Sequence, residues 1–103
     1  MLEFLKKIFS PASVPDYQLL MQKGASIVDV RTKEEFAGGH IRNSINIPLQ
    51  VLEKNLSKLP KDKPVITCCA SGMRSASAKR IFIAKGYTEV FNGGSWIHLQ
   101  KKI

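Results

Sequence analysis

The sequence predicts an α/β domain with a largely parallel sheet of four or five strands flanked by helices, and three observations carry that prediction. Short apolar runs alternate with stretches of helical spacing along most of the chain, as repeated strand-helix-strand units require. Two of the runs, residues 26–30 and 65–68, are close to continuously apolar, which is how strands covered on both faces read. Glycines at 24 and 86 stand just past two of the helical patterns, where a left-handed residue stops a helix. Parallel pairing would bury Ile27, Val28, Val65 and Ile66 beneath the helices.

Each element can be justified in turn. Residues 2–9 place Leu2, Phe4, Leu5, Ile8 and Phe9 around Lys6 and Lys7, a short amphipathic pattern that packs on the domain or on a partner. Eight residues with two lysines would hold a membrane surface only weakly. We take 1–12 as an N-terminal segment and 13–103 as the domain. Ser13 caps a first helix with Pro15 and Asp16 in its opening turn, running to Lys23. Residues 26–30 form a strand with Asp29 and Arg31 at its carboxyl end. Thr32 and Glu35 form a capping box that opens a short helix ending near Gly38 and Gly39, and His40 lies in the following turn. Residues 45–47 are a short strand stopped by Pro48. Leu49, Leu52, Leu56 and Leu59 mark one face of a helix that ends before Pro60; this is core, with no sign of chemistry. After the polar turn 61–64 comes the strand 65–68, then a loop from Cys69, then a helix from Ser75 to Lys85. Residues 88–91 form the last strand, and Gly93 and Gly94 turn the chain into a terminal helix carrying Trp96, Ile97 and Leu99.

Composition narrows the function classes. A chain of 103 residues suits one domain, with no room for a second catalytic unit, and 44% hydrophobic with 23% charged residues is ordinary for a globular protein. The net charge of +8 favours anionic partners in general. Its lysines and arginines are scattered, with no interleaved aromatics of the kind that stack bases, so nucleic-acid binding is not expected. Cys68 and Cys69, the two cysteines, are sequence neighbours and cannot form a disulfide framework, which fits a reducing cytoplasm. Neither a membrane span nor a signal peptide is read from the apolar runs. No metal-ligand spacing and no cofactor motif is present, so neither is expected.

The chemistry concentrates at Cys69-Ala70-Ser71-Gly72-Met73-Arg74-Ser75. A strand that stops at a cysteine and reopens as a helix puts that cysteine at the carboxyl edge of the sheet, where open α/β folds bind ligands. Gly72 lets the chain curl tightly. The curl turns the amides of Ala70 through Ser75 inward, and with the positive end of the helix they form an anion-binding concavity around the sulfur. That field lowers the Cys69 pKa and makes it a candidate nucleophile. Cys69 is catalytic in this reading, and Ala70, Ser71, Gly72, Met73, Arg74 and Ser75 bind substrate. Arg31 joins them if the two strands are parallel. Arg74 either faces the substrate or pairs with an acid and braces the loop, and Asp29 reads as structural. The plain alternative is that Cys69 is a small buried hydrophobe at a strand end.

The loop Cys69 to Ser75 resembles the active-site loop of the rhodanese, or sulfurtransferase, family. Residues 29–36, followed by Gly39-His40-Ile41 and Asn46-Ile47-Pro48-Leu49, are similar to a second family signature, and Asn92-Gly93-Gly94 with Trp96 to a C-terminal one. Where the family usually has Gly-Ala this chain has Asn43-Ser44, and Asn also tolerates left-handed φ. The resemblance implies a single rhodanese-like domain and a turn-stabilising role for His40. It also implies a sulfurtransferase of the thiosulfate:cyanide type, with no cofactor, in which Cys69 takes a sulfur atom as a persulfide. The donor would be a small anionic thiosulfate- or persulfide-type molecule, and the acceptor a thiol, cyanide or a protein that accepts sulfur. Ala70 and Met73 stand where thiosulfate-using members often carry a basic residue, which points toward another persulfide as donor.

Two other readings use the same residues. A rhodanese-like binding module or sulfur carrier would dock on a partner without turnover. A cysteine phosphatase or arsenate reductase also holds a cysteine in an amide cradle, but four residues separate Cys69 from Arg74, one fewer than in those phosphatases. Cys68 as a redox partner of Cys69 is disfavoured, since successive strand residues face opposite ways.

Overall fold

The computed structural model describes residues 15–103, so the 1–12 segment and Ser13 lie outside the described residues. Helix α1 spans Tyr17–Gln22, strand β1 Ser26–Asp29, helix α2 Lys33–Ala37 and strand β2 Ile45–Asn46. A 3-10 helix follows at Leu49–Lys54, then strand β3 Val65–Cys69, helix α3 Met73–Ala84, strand β4 Val90–Ser95 and helix α4 Trp96–Gln100. Among the described residues there is one four-stranded sheet, in the order β2-β1-β3-β4, with each neighbouring pair parallel.

β3 therefore sits inside the sheet. All five of its residues are buried, and Val65 and Ile66 pair on one side with Ser26 and Ile27 of β1 and on the other with Val90 and Phe91 of β4. Ile27, Val28, Val65 and Ile66 are each no more than 3% exposed, as a doubly covered parallel sheet requires. The two faces build separate cores. Val28, Val30, Leu52, Cys69, Ala78 and Phe82 pack on one, and Tyr17, Leu20, Ile27, Ile66, Cys68 and Leu99 on the other.

Several boundaries differ from the sequence reading. The first helix is capped by Asp16, whose carboxylate accepts the Leu19 N–H at 3.1 Å. The four leucines at 49, 52, 56 and 59 do not share one α-helix: only Leu49–Lys54 is helical, and it is 3-10. Leu52, Leu56 and Leu59 are still buried, because the Tyr87 hydroxyl donates to the carbonyls of Leu56 and Leu59 and ties the irregular backbone down. The last strand runs past its apolar part into Gly93 and Gly94, with a register shift opposite residues 67–69, as a bulge produces. The Thr32 and Glu35 capping box is present, and Asn43 takes a left-handed φ of 67°.

Candidate active site

The cradle follows from how β3 ends. At Cys69 the strand stops, and Gly72 with φ 111° turns the chain into α3. Gly72 is the N-cap of α3 and offers no side chain to the free N–H groups of the first turn. The Cys69 sulfur takes that place. Its Sγ accepts the Gly72 N–H at 2.9 Å and the Ser75 N–H at 3.4 Å, so the helix dipole and two amides converge on one atom. Ser75 Oγ lies 3.5 Å from the same sulfur.

These contacts decide the ionisation of Cys69. Burial pushes the thiol up, but hydrogen bonds from the Ser75 hydroxyl and from the N–H groups of Ser75, Gly72 and Ser71 outweigh it, and the net shift is downward. Its neighbour behaves oppositely. Desolvation, reinforced by the Asp29 carboxylate, pushes Cys68 up to about 12. The two thiols belong to opposite cores, and both are free and buried. Cys68 is a core thiol, on the face of the sheet opposite to its neighbour.

The remaining residues of the loop have distinct places. Cys69 is 1% exposed and floors the cradle. Ala70, Ser71 and Met73 are exposed around it, with Met73 81% accessible. Arg74 closes on Glu35 of α2 with Nη1 and Nη2 at 2.7 and 3.0 Å from the two carboxylate oxygens. That pairing, joined by the capping contacts of Thr32, holds the Glu35 carboxyl down at about 2. Of the two roles open to Arg74, the bracing one is the geometry adopted.

Arg31, expected to reach a bound anion, is 4% exposed and engaged elsewhere. Its Nε and Nη2 reach both oxygens of the fully buried Asp29 at 2.7–3.0 Å, Nη2 also donates to the Gly39 carbonyl, and Nη1 to that of Glu35. The guanidinium lies 4.7 Å from the centre of the Trp96 ring. These contacts tie the guanidinium to Asp29 and to the turn after α2. His40 donates from Nδ1 to the Phe36 carbonyl at 2.7 Å and stacks on the Phe36 ring, a turn-holding arrangement.

Two further residues bear on the cradle; Thr67 escapes a reading of the sequence, and Asn92 is known from it only as part of the C-terminal signature. Thr67 of β3 is fully buried, and its hydroxyl donates to the Ser75 carbonyl at 2.9 Å. Asn92 of β4 accepts the Ser75 hydroxyl at 2.6 Å through Oδ1 and donates from Nδ2 to the Gly72 carbonyl at 3.2 Å. For Thr67 the sequence signal is a polar residue inside an otherwise apolar strand.

Comparison with known proteins follows the same lines. A profile described as "Rhodanese-like domain" matches residues 13–95. A protein named "Sulfurtransferase" from Allochromatium vinosum is 36% identical over 66 residues, which is 64% of this chain and 62% of that protein. "Thiosulfate sulfurtransferase GlpE" of Pseudomonas savastanoi pv. phaseolicola is 31% identical over 75 residues, 73% of this chain and 71% of its own. Among solved structures, the human single-domain sulfurtransferase TSTD1 superposes with a TM-score of 0.73 at 27% identity, covering 84% of this chain and 91% of that one. The chain spans 54% and 62% of the length of two of the curated relatives it matches. Among the described residues no helix is long and apolar enough to cross a membrane.

Proposed function

The chain belongs to the rhodanese-like domain family, and from that premise we propose that it is a sulfurtransferase of the thiosulfate:cyanide type working through a Cys69 persulfide. The observation that carries the proposal is the convergence of the Gly72 and Ser75 N–H groups on Cys69 Sγ. The Cys69 thiolate attacks the outer sulfur of a thiosulfate- or persulfide-type donor. A new S–S bond forms, the old one breaks, and sulfite or a thiolate leaves with the bonding pair. An acceptor thiolate or cyanide then takes the outer sulfur and returns Cys69 as thiolate, so the kinetics are ping-pong.

No general base is called for, because the preorganised amides hold the anion in place at little reorganisation cost. The amides of Ala70 through Ser75 hold the donor and then the persulfide, with Ser71 and Ser75 hydroxyls beside them. Ala70, Ser71 and Met73 make the mouth uncharged at those positions, which favours a persulfide or a protein-borne sulfur over the thiosulfate dianion. We place the reaction in the cytoplasm, where thiols are kept reduced.

Intact mass spectrometry after incubation with thiosulfate, and separately with a low-molecular-weight persulfide, tests the proposal. Wild type and Cys68→Ser should each gain one sulfur atom, and Cys69→Ser none. No gain with either donor would leave a rhodanese-like binding module. Release of phosphate from an aryl phosphate would favour the phosphatase reading.

A further inference from the structure

Ser75 carries one hydroxyl hydrogen and has three acceptors within reach. Asn92 Oδ1 is at 2.6 Å, the Gly72 carbonyl at 3.1 Å and Cys69 Sγ at 3.5 Å. Asn92 is itself held for the task. Its Oδ1 also accepts the Gly94 N–H at 2.9 Å, and its Nδ2 donates to the Gly72 carbonyl. The amide therefore cannot turn over without setting its NH2 against the Gly94 N–H and its oxygen against the Gly72 carbonyl, so its oxygen faces Ser75.

We propose that Asn92 is a positioning residue that competes with Cys69 for the Ser75 hydroxyl hydrogen and so sets how strongly the nucleophilic sulfur is held as an anion. With the hydrogen on Asn92, Ser75 Oγ turns a lone pair toward the sulfur and can accept the Cys69 S–H. When Cys69 ionises, the hydroxyl must leave the short bond to Asn92 to serve the sulfur. The amide oxygen thus opposes the thiolate, while the Gly72 and Ser75 N–H groups favour it. The charged and titratable neighbours acting on Cys69 are Arg74, itself paired with Glu35, and Cys68, and none of them is altered by a change at 92.

The restraint has a chemical use. A thiolate loses intrinsic nucleophilicity as its pKa falls, so the fastest attacking thiol is one whose pKa lies near the ambient pH. A cradle with every donor on the sulfur would hold the thiolate more firmly and make it a weaker nucleophile. This use rests on Cys69 being the nucleophile proposed above, so the test reads the titration of Cys69 directly and not sulfur transfer.

The experiment follows the pH dependence of iodoacetamide alkylation at Cys69 in the Cys68→Ser background. Ser75→Ala, which removes the donor, should raise the Cys69 pKa by about one unit. Asn92→Leu, which removes the competing acceptor while keeping bulk, should lower it, because an anionic sulfur outcompetes the neutral Gly72 carbonyl for the freed hydrogen. In Ser75→Ala the Asn92→Leu change should produce no lowering. If Asn92→Leu raises the pKa or leaves it unchanged, or lowers it equally without the Ser75 hydroxyl, the competition is refuted. Should the leucine variant not fold, Asn92→Ala removes the same acceptor. A Cys69 whose alkylation profile responds to the two substitutions as expected, yet which never gains sulfur, would sink the sulfurtransferase reading and leave this one standing.

Discussion

The guanidinium of Arg74 and the carboxylate of Glu35, 39 residues apart, form a two-point ion pair at 2.7 and 3.0 Å. It joins the first turn of α3 to the first turn of α2, and so fixes the Cys69 loop against the element beside it. Both side chains are 36% exposed, which limits what the pair adds to global stability. Its effect is local. Arg74→Ala should lower kcat/KM for sulfur transfer by about tenfold to a hundredfold through misplacement of the loop amides, with little change in the thermal midpoint. Arg74→Lys should not restore it, since an ammonium cannot make the planar two-point contact.

The same pair has a defined pH signature. Glu35 is held at about 2, below its ordinary 4.5. A carboxylate lowered on folding stabilises the folded state above its unfolded value, and that contribution disappears as the pH falls through the folded one. The difference in unfolding midpoint between wild type and Glu35→Gln should therefore be complete above about pH 5 and close by about pH 2. A difference that persisted unchanged at the acid end would mean that Glu35 is not paired.

The opposite shifts of the two neighbouring thiols predict their reactivity. Near neutral pH, iodoacetamide should modify one thiol in the native protein, and peptide mapping should place it at Cys69, whose pKa is lowered. Cys68, pushed up to about 12, should react only after denaturation. Cys68→Ser should keep sulfur transfer within about twofold of wild type, because no contact with the cradle is lost.

Gly93 is a steric requirement. A Cβ there would lie 2.7 Å from Leu99 Cδ2, 2.9 Å from Ile66 Cγ2 and 2.9 Å from the Thr67 carbonyl oxygen. The side chains have some freedom to move, but the backbone oxygen of the central strand has little. Gly93→Ala should cost about 1–3 kcal/mol in urea unfolding, and its crystal structure should show β4 displaced from β3.

Tyr87→Phe tests what holds the segment after the 3-10 helix. The change takes the hydroxyl from the carbonyls of Leu56 and Leu59, and the Leu56 carbonyl keeps the Leu59 N–H. We expect a loss of about 1–3 kcal/mol, with hydrogen exchange accelerated at residues 55–59 and the Cys69 alkylation profile unaltered.

Sequence alone determined the order of strands and helices and the place of Cys69 and its loop at the end of the central strand, because each has a local cause. Apolar runs such as 65–68 can be satisfied only inside a sheet, Gly72 must turn where no other residue turns cheaply, and Thr32 and Glu35 cap their helix from within four residues. Tertiary structure alone decided what the long polar side chains do. Whether Arg74 turns to Glu35, whether Arg31 also reaches the Gly39 carbonyl and whether the Ser75 hydroxyl has a rival in Asn92 all depend on distances across the fold. A hydrogen bond exists or fails within a few tenths of an ångström, and spacing along a sequence carries no such measure. The leucines at 49–59 show the same limit in the core: their periodicity reports which side is buried, while the Tyr87 hydroxyl, 31 and 28 residues away from its acceptors, permits a backbone that is not an α-helix.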